Sequence, residues 1–226
     1  MEDNSIAPRP SLLALQPARL AASLRPLGIT PRELALQSPR LTPRPHGWGV
    51  LPPSSFPLLI DLVGMDLPLA AMLLSDLLRQ QRAQQNVPLL IIPTTPAWRR
   101  LIASSSITTV IIPADAPAEI ISRWVRAPLQ FRPGQVWVRS RPPALPALDP
   151  RLIPLLAAMS RAASVAQAAE WCYLARSTAY TILSKTCELL DIPFDSHRSA
   201  ADWIAALEAA FASQGAGAAR EDIDRS

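Results

Sequence analysis

Pro57-Leu58-Leu59-Ile60-Asp61-Leu62-Val63 is the stretch on which the reading of the fold turns. An apolar run of this length, opened by a proline and closed by Gly64, has the form of a buried strand, with one carboxylate, Asp61, near its end. Past the turn at Gly64 the spacing predicts a helix to about Arg82. Val87–Ile92 is a second such strand, and a short helix follows around Ala97–Ala103. Thr108–Ile112 is a third strand, ended by Pro113 and followed by an amphipathic helix, Pro117–Val125, with Ile120, Ile121, Trp124 and Val125 on one face. Upstream, Ser11–Leu15 reads as a strand closed by Gln16-Pro17, and Ala18–Leu27 as a helix stopped by Gly28. Residues 29–57 hold seven prolines and one weak strand, Gly47–Leu51. Strands alternating with helices at this spacing predict an α/β domain: a doubly wound parallel sheet with both faces covered.

From residue 129 the pattern breaks into Arg132-Pro133-Gly134 and Arg141-Pro142-Pro143, a semi-rigid linker, and everything after it reads as helix. Asp149-Pro150 is an N-cap with proline at the first helical position, and Ser164–Cys172 and Ser177–Leu190 are the next two helices. Ser199-Ala200-Ala201-Asp202 is a capping box opening an Ala-rich fourth helix to about Ala212. The expected organisation is an α/β domain at 8–128, a linker at 129–147, an all-α domain at 148–213 and a disordered tail at 214–226.

Among the 226 residues, 49% are hydrophobic, enough for real cores, and 25 are proline, about twice the usual share. The cations are 21 Arg and a single Lys, Lys185. Residues 1–147 carry a net +7 and residues 148–226 a net −3, so bulk charge does not drive the C-terminal part onto nucleic acid. Cys172 and Cys187 lack metal-ligand spacing and only His46 and His197 could join them, so no metal or other cofactor is expected. No apolar run reaches the length of a membrane span, and no secretory leader is evident, which predicts a cytoplasmic protein without disulfides. Seven glycines form no phosphate loop, and no serine or histidine sits in a catalytic setting, so no enzyme is expected.

The layout of the first half resembles the receiver domain of two-component response regulators. Leu59-Ile60-Asp61-Leu62-Val63-Gly64-Met65 fits that family's phosphoacceptor strand, which makes Asp61 the candidate acceptor. The resemblance also implies an acidic pair for Mg²⁺, a lysine before a proline and a hydroxyl residue after the fourth strand. Here those places hold Ala14 and Leu15, Ile112-Pro113, and Pro93 or Thr94. A lone carboxylate cannot build the metal site that phosphoryl transfer needs, so Asp61 is vestigial and the domain a pseudo-receiver, its input coming from elsewhere, such as a partner protein. The other reading of Asp61 is a helix-capping carboxylate.

The second half resembles the LuxR/NarL-type helix-turn-helix over about 45 residues, through Leu148-Asp149-Pro150-Arg151, Ser164, Ala169-Glu170, Leu174, Thr178, Leu183-Ser184 and Leu190-Asp191-Ile192. That resemblance implies that Ser177–Leu190 is a recognition helix for the DNA major groove, and that the fourth helix contributes to a homodimer. Base contacts then fall to Ser177, Thr178, Tyr180, Thr181 and Lys185, with Arg176 on phosphate. Tyr180 and Ile182 replace the usual Lys and His, and Pro154 inside the first helix is expected to kink it. Arg123, Arg126, Arg132, Arg139 and Arg141, interleaved with Trp124, Phe131 and Trp137, read either as a nucleic-acid track or as a solvated linker face. Trp203, Ile204, Leu207 and Phe211 form an apolar stripe that covers either the module's own core or a two-fold interface, and the cysteines read as small core residues. The function expected is a phosphorylation-independent, DNA-binding transcriptional regulator. The alternative is a protein-interaction adaptor that binds no DNA.

Overall fold

The computed structural model describes residues 12–15, 25–27, 31–33, 58–62, 65–83, 89–92, 96–104, 109–111, 117, 119, 122, 136–138 and 147–221. Most of the expected linker at 129–147, most of the expected helices at 18–27 and 117–125, the strand at 47–51 and the last five residues lie outside them; within the linker, Val136–Val138 is extended. Six extended segments occur in the first half: β1 (Leu12–Leu15), β2 (Pro31–Glu33), β3 (Leu58–Asp61), β4 (Leu89–Ile92), β5 (Thr109–Ile111) and β6 (Val136–Val138). The helices are α1 (Leu67–Ala83), α2 (Pro96–Ser104), α3 (Leu152–Met159), α4 (Val165–Trp171), α5 (Arg176–Leu190) and α6 (Ala200–Glu221).

The expected α/β class is overturned. Backbone pairing joins the extended segments in parallel, in the order β2-β1-β3-β4-β5-β6. Each is only three or four residues long, below the roughly 5–6 of an ordinary strand. In the part of the molecule described in full, 70% of residues are helical, there is one short strand, and no sheet is built. That part is not a doubly wound receiver/flavodoxin-like domain. Of its core, only Ile60 comes from an extended segment; nearly all the rest is helix packed on helix.

α1 is apolar around most of its circumference, with Leu67, Ala70, Ala71, Leu73, Leu74 and Leu77 all essentially solvent-free. A helix buried on so many sides must be enclosed, and α1 lies along α3 and also touches α6. Its start is fixed twice. The Asp66 carboxylate accepts from Leu69 N (2.8 Å) as an N-cap, and Glu208 of α6 accepts from Leu67 N at 3.2 Å. α2 lies against α6, where the Trp98 ring meets Phe211 edge-on at 5.2 Å. One contiguous core therefore runs from α1 and α2 into the C-terminal helices.

Pro154 needs a correction too. Leu152 N donates to Asp149 O (2.9 Å) and Ile153 N to Pro150 O (3.3 Å), so the chain is already turning when Pro154 arrives in the first turn of α3. Nitrogens there have little intrahelical bonding to lose, so the proline sits where a helix tolerates it and the expected mid-helix kink has no cause. Ser164 caps α4 by accepting from Gln167 N (3.2 Å), and Gln167 returns the bond to Ala163 N (2.8 Å).

α4 ends in a Schellman turn: Leu174 N donates to Ala169 O (2.9 Å) and Tyr173 N to Glu170 O (3.0 Å). The turn requires a left-handed residue, and Tyr173 fills that place with φ 56° while 81% exposed. A side chain with a Cβ costs about 1 kcal/mol there relative to glycine. Tyr173→Gly is accordingly expected to raise the unfolding free energy by about 1 kcal/mol, measured by urea denaturation; a loss of stability would show that the ring contributes packing.

Candidate nucleic-acid interface

α4, the tight turn and α5 place one helix across another, with α4 packed on both α3 and α5. Ala179, Ile182, Leu183, Thr186, Cys187 and Leu190 bury one side of α5. The other side leaves Ser177, Thr181, Ser184, Lys185 and Glu188 in solvent. No side chain caps the start of α5, where Ala175 is the N-cap residue. Its first N–H groups therefore lack a side-chain cap, with the positive end of the helix dipole behind them.

Four of the six expected contact residues share one place. Ser177, Thr178, Thr181 and Lys185 line a shallow cleft of about 160 Å³ together with Asp149 and Arg151 from the start of α3. Arg176 and Tyr180 stand on the flank instead, the guanidinium lying over the phenol ring at 5.6 Å. Tyr180 is partly buried against the core, so it serves as a platform for Arg176 rather than projecting with the others. The Thr181 hydroxyl donates to Ser177 O (2.9 Å), which leaves it an acceptor and a methyl group for anything that approaches. Ile182, in one of the usual contact positions, is buried.

Asp149 and Arg151 were not among the expected site residues. Arg151 grips the carboxylate through Nη2 to Oδ2 (2.8 Å) and Nε to Oδ1 (3.0 Å), and its backbone N donates to Oδ1 at 2.9 Å. These hydrogen bonds, first the side-chain ones, hold Asp149 below the usual carboxylate range, helped by the charges of Arg151 and Lys185 and opposed by burial. The spacing Asp149-Pro150-Arg151 was the available signal: the turn brings the two side chains to one side.

Asp61 is 1% exposed, at the end of β3 and in register with Ile92. Its carboxylate is enclosed by the chain, and among the described residues no group of three or more His, Cys, Asp or Glu could hold a metal. The apolar stripe of α6 is spent inside the molecule: Trp203 and Leu207 are wholly buried, Phe211 and Ile204 nearly so. No helix among the described residues is long and apolar enough to cross a membrane.

The Cys172 thiol donates to Pro154 O (3.3 Å), and burial pushes its pKa up to about 11. Burial also raises Cys187, with Arg198 opposing. Both thiols should react with a disulfide reagent at pH 8 only after denaturation; rapid modification of the native protein would refute the packing. Asp149 supplies a second expectation. Because its folded pKa is depressed, its stabilisation is complete above the unfolded value of about 4 and is lost as pH falls through the lowered one. Asp149→Asn should flatten the acid limb of stability measured by urea denaturation from pH 7 to 3. Compared with known proteins, the chain matches no protein family, no curated protein and no solved structure.

Proposed function

We propose that this protein binds duplex DNA in a sequence-selective way through α5. The observation that carries the reading is the outward side of α5: an uncapped helix start followed by Ser177, Thr181, Ser184 and Lys185, all exposed and all able to hydrogen-bond. A helix entering the major groove needs a polar face on a rigid support, and the buried side of α5 supplies the support. Its uncapped N–H groups and Arg176 suit phosphate, and Lys185 suits the O6 and N7 acceptors of guanine. Transcriptional regulation in the cytoplasm is the role that such binding would serve.

Asp149 lines the cleft beside this face, Glu188 is exposed on it, and residues 148–226 carry a net −3. Non-specific attraction is therefore weak, and contacts to base edges have to supply more of the affinity. Since the stripe on α6 is covered by the chain itself, a homodimer on DNA would use another surface.

Selection from randomised duplexes tests the reading. An enriched motif is expected, palindromic if two copies bind, and Lys185→Ala should weaken binding to it by about 1–3 kcal/mol. Asp149→Asn should tighten binding to every duplex, because it removes a negative charge facing phosphate. Failure of the full-length chain to enrich any motif would leave the interaction-adaptor reading in its place.

A further inference from the structure

The guanidinium of Arg151 is gripped along one edge. Nε donates to Asp149 Oδ1 (3.0 Å) and Nη2 to Oδ2 (2.8 Å), while the turn that brings the two residues together is closed by Arg151 N donating to Oδ1 (2.9 Å). Of the five N–H donors, this contact uses the one on Nε and one of the two on Nη2. The end of the fork, formed by Nη1 and the second hydrogen of Nη2, has no hydrogen-bond partner among the described residues. It is a pair of parallel donors at fixed spacing, on a side chain that is 54% exposed.

Arg151 belongs to the start of α3, yet it lines the cleft in which Ser177, Thr178, Thr181 and Lys185 converge, beside the outward face of α5. The one arginine of α5, Arg176, lies over Tyr180 on the flank. Two acceptor sets in duplex DNA match a two-donor edge: the oxygens of a phosphate and the O6 and N7 atoms of guanine in the major groove. Charge separates them. Asp149 neutralises Arg151 and sets a carboxylate next to it, which works against a phosphate anion. The guanine edge is uncharged and requires only the two aligned donors. Because the pair is already formed, the rotamer freedom of a long side chain is spent before DNA arrives.

From this geometry we infer that Arg151 reads a guanine in the major groove, with Asp149 as the positioning residue that fixes the plane of the fork. This role rests on the DNA-binding reading of α5 and adds to it a specificity-determining residue from another helix.

Selection from randomised duplexes is run with the full chain and with its Arg151→Ala, Arg151→Lys and Lys185→Ala variants. The motif is expected to contain a G·C pair at which Arg151→Ala and Arg151→Lys each lose about tenfold of the preference for guanine, the other positions keeping theirs. Replacing that guanine by 7-deazaguanine, which lacks the N7 acceptor, should weaken binding of the unaltered protein at least about fivefold and leave Arg151→Ala unaffected. Asp149→Asn should narrow the gap between guanine and the other bases at that pair while binding to duplexes in general tightens; simple damage to the fold would weaken all of them. If Arg151→Ala weakens every duplex alike and lowers the salt slope by about one, the residue is a phosphate contact and the inference is overturned. A motif that Lys185→Ala erases and Arg151→Ala preserves overturns it too, with the DNA-binding reading left standing. No motif for the unaltered chain removes that reading and this role together. The 7-deazaguanine comparison uses the unaltered protein, so it decides the matter even if a variant fails to fold.

Discussion

The described structure depends on enclosing α1. A 17-residue helix that is apolar on most of its sides has no stable existence in water, and burying a leucine-sized side chain is worth about 1.5–3 kcal/mol. α3 takes one flank, and α6 closes over the N-terminus through Glu208, whose bond to Leu67 N spans 141 positions of sequence. The C-terminal helices are thereby fixed in position as well: α3 cannot turn away from α1, and α4 and α5 are set on α3. The outward face of α5 owes its orientation to a contact made on the opposite side of the unit.

The helical half was largely legible in the sequence, because its signals are local and chemical. Ser164 accepts from Gln167 N while Gln167 accepts from Ala163 N, and Ser199 and Asp202 accept from each other's backbone N–H, so the chain declares these helix starts without help from tertiary structure. The first half was read through hydrophobic runs, which located β1, β3, β4, β5, α1 and α2, while the fold class drawn from them is what the structure overturns. A run such as Leu58–Val63 states that it is buried and leaves open what buries it. Periodicity says nothing of the partner: β3 pairs with β1 and β4, while the helices that cover α1 lie about seventy or more residues downstream of it. Pro154 misled for a related reason: a proline's cost depends on its distance from the helix start, and that boundary is set by the turn at Asp149 and Pro150.

At the candidate interface the sequence named the right helix but could not sort its faces completely. Ser177, Thr178, Thr181 and Lys185 converge as helical spacing requires. Tyr180 and Arg176 lie one step around the helix, where an amphipathic ring finds core to rest on and a guanidinium finds the ring. The ion pair of Asp149 and Arg151 comes from a different helix, a juxtaposition that only the folded chain produces. The stripe on α6 could have served either of two partners, and Trp98 is part of what decided it.

The 141-residue span between Leu67 and Glu208 also has a consequence for the newborn chain. A ribosome releases α1 long before it has made either helix that covers it, and at about 5–20 residues per second the delay is on the order of ten seconds. The C-terminal helices, whose mutual contacts are short in sequence, assemble as soon as they emerge, and docking α1 onto them is the high-contact-order step that follows. Throughout that interval a leucine-rich helix lacks the helices that cover it, which leaves α1 exposed to chaperones during synthesis.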